Sequence, residues 1–406
     1  MELTIWAHRL MAGAIAAGIL GAPAMFAGFS GCAPDPVRRI AAGAGPDGWT
    51  LGDPIRYENL TVFPIFAKSG ADTSRFETLD EGLASGEVQV TEQGSEYLRR
   101  SRDGSVLPVP QYNSGASVNQ LVLINRGKRP VLLLAGEVVS GGKQDRIVGK
   151  DRIIPAGGDP LPLDVFCVEH GRWTGASSQF AAAKVMVHPS VREQAAIDSN
   201  QTGVWDAVNR GTTARVVAPS GGSGTAGVVS SSSPTAITVE AAPPPPVLSQ
   251  GVIGGAIASA APSHSYRKIY ESPRIASSVE EFAGEIERRF ARATKDQEVV
   301  GAVIAYGGEV AWSDAFASSQ LFHQYWPKLL RSYVVEALAR PVTKEQVSFD
   351  DARTFLEHAK GHVREESDPG VYTWRERTEG RYSEIELESL TPSPLTLHWM
   401  KVLRTN

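Results

Sequence analysis

Two acidic residues stand where acid–base chemistry is easiest to build. Glu137 follows "LLLAG" and precedes Ser140-Gly141-Gly142, and Glu169 ends "LPLDVFCVE" just before Gly171. A carboxylate closing an apolar strand is partly desolvated, which raises its pKa toward the range a general acid or base needs. Two such groups within about 12 Å would suit hydrolysis of a glycosidic or N-glycosidic bond. Gln144, Asp145 and Arg146 after the first, and Arg172 and Trp173 after the second, could orient a substrate or bind a polar ligand. The competing reading is structural, because buried carboxylates are usually paired and Arg146 and Arg172 carry the fork that pairs them. Strand direction decides between the two, since antiparallel neighbours would send the acids to opposite edges of a sheet.

Other reactive types read as packing. Cys167 lies in an apolar run, where burial raises a thiol pKa and leaves it inert. Trp326 and Tyr333 are seven residues apart on one helix face, a core spacing. His358 and His362 have the i, i+4 spacing of a helical zinc chelate, but no HExxH and no third ligand accompany them. A solvated helix face is the expectation there. With no GxSxG, phosphate loop or Cys/His cluster, no metal and no cofactor are expected.

The elements that must hold these residues follow from periodicity. "LTVFPIF" reads as a strand, Leu79 opens a short helix, and a strand runs through Glu87-Val88-Gln89-Val90. "SVNQLVLINRGKRPVLLLAGEVV" reads as a hairpin about Asn125–Lys128. "RIVGKDRIIPAGG" and "LPLDVFCVE" are further strands. A helix over His188–Arg210 is interrupted at Gly203. Ser278 with Glu281 makes a capping box for the next helix. "EVVGAVIAYGGEVAW" reads as two strands about Gly307-Gly308. The helix in "SSQLFHQYWPKLLRSYVVEALAR" kinks or restarts at Pro327, Ser348 caps another, and the chain closes in strands. Strands, then helices, then strands predict an α+β fold with a mixed or antiparallel sheet and packed helices.

Composition sets the organisation. The chain of 406 residues is 42% hydrophobic, enough for a sizeable core, and its net charge of -5 argues against a nucleic-acid partner. Residues 1–31 hold one early cation, Arg9, and an apolar Ala/Gly-rich run that suits a lipoprotein signal peptide. "FSGC" resembles a lipobox, so Cys32 would carry lipid and tie the protein to the membrane of a cell envelope. A retained N-terminal membrane helix is the alternative. Residues 32–55 read as a flexible tether. One domain spans 56–210 and 276–406, and a Gly/Ser/Pro-rich, mostly disordered insertion spans 211–275.

Four segments taken in order, "LLLAGEVVSGGKQDRIV", "FCVEHGRW", "VGAVIAYGGEVAWSDAFASSQLFHQYWPKLLRSYVVEAL" and "LTLHW", resemble the ARPP family over roughly residues 55–404. These are domains associated with ADP-ribosylglycohydrolases and rhodanese-phosphatase proteins. The positions carrying the resemblance include Gly136, Glu137, Gln144, Asp145, Arg146, Cys167, Glu169, Arg172, Trp173, Trp326 and Tyr333. The resemblance implies no reaction. Two functions are therefore expected as competitors. One is an envelope lipoprotein that binds a small molecule or protein partner. The other is a hydrolase of a sugar- or nucleotide-derived group, with Glu137 and Glu169 as its acid and base.

Overall fold

Strand patterns dominate both halves of the chain, and two β systems result. The structure, a computed structural model, describes residues 48–92, 99–100, 106–107, 119–170, 177–212 and 264–405. The expected signal peptide, Cys32, Arg172, Trp173 and most of the insertion lie outside the described residues. The strand Thr50–Leu51 falls inside the expected tether. The strand His264–Ser265 and the helix Arg267–Glu271 fall inside the expected insertion.

The longer system is a nine-stranded antiparallel sheet. Its path runs Thr50–Leu51, Leu60–Phe66, Val299–Tyr306, Glu309–Phe316, Leu395–Leu403, Tyr382–Ser389, Tyr372–Glu379 and His362–Asp368, with Ile55–Tyr57 beside the second strand. Alternation along Leu60–Phe66 sends Leu60 and Val62 to one core and Phe63 and Ile65 to another, so both faces of the sheet are covered. The second system is a closed barrel of six strands: Glu137–Gly141, Arg146–Val148, Pro160–Cys167, Gln120–Asn125, Val88–Glu92 and Gln179–Met186. Val88, Val90, Leu121, Leu123, Val139, Val148, Leu163 and Val165 fill a third core. With seven helices among the described residues, the fold is α+β as expected. Among the described residues, pairing is antiparallel except between Glu77–Thr78 and Val131–Leu133.

Several local expectations change for identifiable reasons. The strands Gln120–Asn125 and Val131–Leu133 do not form a hairpin, because the first joins the barrel and the second pairs with Arg152–Ile154. The Asn125 amide redirects the chain, donating to Arg129 O at 2.8 Å and accepting from Gly127 N at 2.9 Å. The break after Pro189–Ala196 comes before Gly203: Asn200 Oδ1 accepts from Gly203 N at 3.2 Å and starts the helix Gln201–Thr212. The helix Pro273–Ala293 begins ahead of the expected Ser278 cap, and Ser278 instead donates to Arg274 O. Ser319–Ala339 is one helix in spite of Pro327. Burial of Tyr325, Trp326, Lys328 and Leu329 on either side of the proline outweighs its lost hydrogen bond. The helix Phe349–Phe355 stops before His358, and His362 opens a strand, so the two histidines do not share a helix face.

Candidate functional site

The residues singled out by the sequence divide into two buried groups at different places in the fold. Glu137 is sealed. It opens a strand rather than closing one, because Gly136 turns the chain at φ 91°. A Cβ there would come within 2.5 Å of Arg192 Cγ, so glycine is required. The Glu137 carboxylate is 1% exposed; it accepts from Lys328 Nζ at 2.5 Å and from Leu134 N at 2.7 Å. Lys328 also donates to Asp80 at 2.7 Å. Burial works against the ammonium, yet Glu137 and Asp80 hold its pKa above the ordinary lysine value. The ion-pair partner of Glu137 is thus Lys328, delivered by the long helix, and not the expected Arg146.

The same turn is fixed from its other side. Ala135 N donates to Asp151 at 2.7 Å, and Ala135 O accepts from Arg192 Nε at 3.1 Å. Arg192 then grips Asp314 with both terminal nitrogens, at 2.9 and 3.0 Å. Asp314 also accepts from Trp312 Nε1 at 2.8 Å and from the Tyr333 hydroxyl, and it bonds His398 Nε2 at 3.0 Å. His398 Nδ1 returns to Asp151 at 2.6 Å, closing the circuit. Burial alone would neutralise Asp314, but Arg192 and His398 more than offset it and hold the carboxyl well below the usual range. Burial likewise opposes charge on His398, and Asp151 and Asp314 outweigh it, lifting the ring to about 9. Sequence reading missed Asp151, Arg192, Asp314, Lys328 and His398. None belongs to a local motif, and contacts such as Asp151 with His398 span 247 positions.

The second group gathers at one mouth of the barrel. Arg146 is directly opposite Cys167, Asp145 N donates to a Glu169 oxygen at 3.1 Å, and Val168 N donates to Asp145 O at 3.3 Å. Arg146 Nη1 donates to Gln144 Oε1 at 3.2 Å. Gln144, Asp145, Arg146 and Glu169 are therefore brought together, and all are buried. Burial raises the Cys167 thiol, as its apolar run predicts. Glu137 is elsewhere: the register puts it level with Val165, four residues along from Glu169 and two strands across, roughly 15 Å between backbones. The two glutamates bond to different groups.

Outside the barrel wall, beside Asp145, lies a cleft of about 500 Å³. One wall is Val138, Ser140, Gly141 and Asp145; the other is Tyr266, Arg267, Tyr270 and Glu271. Its floor is Ala181–Ala183 with Val185, where the barrel ladder slips and Lys184 takes φ 55°. A slipped ladder with small side chains opens space on a wall that would otherwise be filled. Asp145 Oδ1 accepts from Ser140 Oγ at 2.9 Å and Gly141 N at 3.1 Å. Burial pushes the Asp145 carboxyl up, against the Ser140 bond that lowers it, and Glu169 adds to the rise. Apolar walls around a few convergent polar groups are the ordinary chemistry of a small-molecule site.

One group among the described residues has metal-ligand geometry: His358, Glu384 and Glu386. Arg377 already bridges both carboxylates, at 2.8 and 2.9 Å, and His358 Nδ1 lies 2.6 Å from Glu384. That arrangement is an ion-pair cluster on the long sheet.

Fold and site together define an α+β domain with a polar core circuit and an apolar-walled cleft against a small barrel. The chain belongs to the family described as the ARG and Rhodanese-Phosphatase-superfamily-associated Protein domain, ARPP-1, whose model matches residues 48–401. Comparison with curated proteins and with solved structures gave no match. Among the described residues no helix is long and apolar enough to cross a membrane.

Proposed function

We propose that this domain is a binding module for a small organic ligand with an apolar body, seated in the cleft beside Asp145. The observation that carries this reading is the division of the segment "LLLAGEVVSGGKQDR". Its first part is locked into the core, while Val138, Ser140, Gly141 and Asp145 form one wall of the cleft. A sealed Glu137 bonded to Lys328 supports binding over the hydrolase that would use Glu137 with Glu169. A catalytic version would have to rely on Asp145, whose backbone N–H bonds the Glu169 carboxylate and whose own carboxyl is raised by burial.

The test is a small-molecule screen on the full chain by ligand-observed NMR. Hits are expected to lose binding in Ala182→Trp, which fills the floor, and to weaken roughly tenfold in Asp145→Asn, about one good hydrogen bond. Hits that bind Ala182→Trp undiminished would remove the cleft as the site. Chemical turnover of a hit that stops in Glu169→Gln would favour the enzyme instead.

The lipobox-like "FSGC" supports a second element of the proposal: the binding domain is held at an envelope membrane by lipid on Cys32. Mass spectrometry of the mature N-terminus is expected to find a diacylglyceryl-modified Cys32. An intact Met1 would end that reading and favour a retained helix.

A further inference from the structure

The long sheet ends in the strand His362–Asp368, which is exposed at six of its seven residues. All seven pair with Tyr372–Glu379 on one side, and among the described residues no strand pairs on the other. An edge of this kind is a template for another strand, and charge is the usual device that blunts it. Here the order of the charges matters more than their number. Antiparallel self-pairing about a two-fold axis perpendicular to the sheet sets even residues against even and odd against odd, so that facing side chains share a side. Centred on Glu365, it sets His362 against the partner's Asp368, Val363 against the partner's Ser367 and Arg364 against the partner's Glu366. Centring on Arg364 would place two guanidiniums on the axis. Centring on Glu366 would place two carboxylates there and leave His362 and Val363 unpaired. The register on Glu365 uses the whole strand and brings each Arg364–Glu366 pair, bonded within its own chain at 2.9 Å, against the partner's pair with unlike charges facing. At the axis, each Glu365 already accepts from Arg375 Nε of its own chain at 2.7 Å, which offsets the repulsion between the two.

We propose that this edge is a homodimer interface, in which two copies pair His362–Asp368 antiparallel about Glu365. Two nine-stranded sheets then become one continuous sheet. The interaction is backbone hydrogen bonding with a self-complementary charge row, and it is isologous, so it closes at two copies instead of growing a fibre.

Oxidative cross-linking of the full chain tests this, with the parent chain alongside to set the background from Cys32 and Cys167. Glu365→Cys places two cysteines across the axis within disulfide reach and should run as a covalent dimer. Val363→Cys should stay monomeric, because its two copies stand about 13 Å apart along the strands. Added to Glu365→Cys, Arg364→Glu or Glu366→Arg alone creates two like-charge pairs and should lower the dimer yield about tenfold. Both reversals together restore the complementarity and should restore the yield. The proposal falls if Glu365→Cys does not cross-link, if Val363→Cys cross-links equally, or if the single reversals leave the yield unchanged.

Discussion

Arg192→Ala is expected to destabilise the domain by about 3–5 kcal/mol, the usual result of removing one partner from a buried ion pair. The expectation follows from what Asp314 would lose. It is fully buried, and the positive charge of Arg192, held against it at 2.9 and 3.0 Å, is the largest favourable influence on its own charge. Without them His398 alone must balance both Asp151 and Asp314. The Arg192 guanidinium also lies over Trp312, with Cζ 4.9 Å from the ring centre. Arg192→Met, which keeps most of that volume, separates packing from charge and should cost nearly as much. Urea unfolding measures both variants, and a loss below about 1 kcal/mol would show that the circuit is not a strong determinant of the fold. Because Arg192 holds Ala135 O, the substitution should also loosen the turn that launches Val138–Asp145 and weaken binding in the cleft.

That circuit marks the boundary of what the sequence made legible. Elements with strong period and local punctuation were readable: Leu60–Phe66, the Gly307-Gly308 hairpin, the Ser348 cap and the closing strands. Each depends on neighbours within a few residues. Barrel closure was not readable, because strands such as Val88–Glu92 and Gln179–Met186 pair across a long stretch of chain with no local signal joining them. The Asn125 turn misled for the same reason: a good hairpin signal was overruled by which sheet each arm could join. For the site, the sequence paired Glu137 with Glu169 and set Gln144, Asp145 and Arg146 beside them; the structure brings Gln144, Asp145, Arg146 and Glu169 to one mouth of the barrel and leaves Glu137 apart. The cleft was not, since its floor is an alanine run whose value lies in the slipped ladder beneath it. Nor was Lys328, which reads in sequence as an ordinary helix cation and proves to be the buried counter-charge of Glu137.

The same buried charges predict a bell-shaped dependence of stability on pH, with its maximum near pH 5–6. On the alkaline side the controlling group is His398, whose pKa rises from 6.5 to about 9 on folding. A group with a raised folded pKa contributes fully below its unfolded value and loses that contribution as pH climbs through the folded one. Stability should therefore fall between pH 6.5 and 9, by about 3 kcal/mol for a shift of this size. Asp145 and Glu193, both raised by burial, contribute in the same sense at lower pH. On the acid side the controlling group is Glu336. Burial opposes its charge, but His188, Arg340 and the Ser190 hydroxyl prevail and hold it down at about 2 from 4.5. A depressed carboxyl contributes above its unfolded pKa, so that stability is lost as pH falls from 4.5 toward 2, and Asp314 adds to the loss. Urea unfolding across pH 2–10 measures both limbs. His398→Gln should flatten the alkaline limb while lowering stability at pH 6, and Glu336→Gln should flatten the acid limb. A wild-type protein as stable at pH 9.5 as at pH 6 would mean that His398 is not charged between Asp151 and Asp314, and the circuit would then be a neutral hydrogen-bond chain.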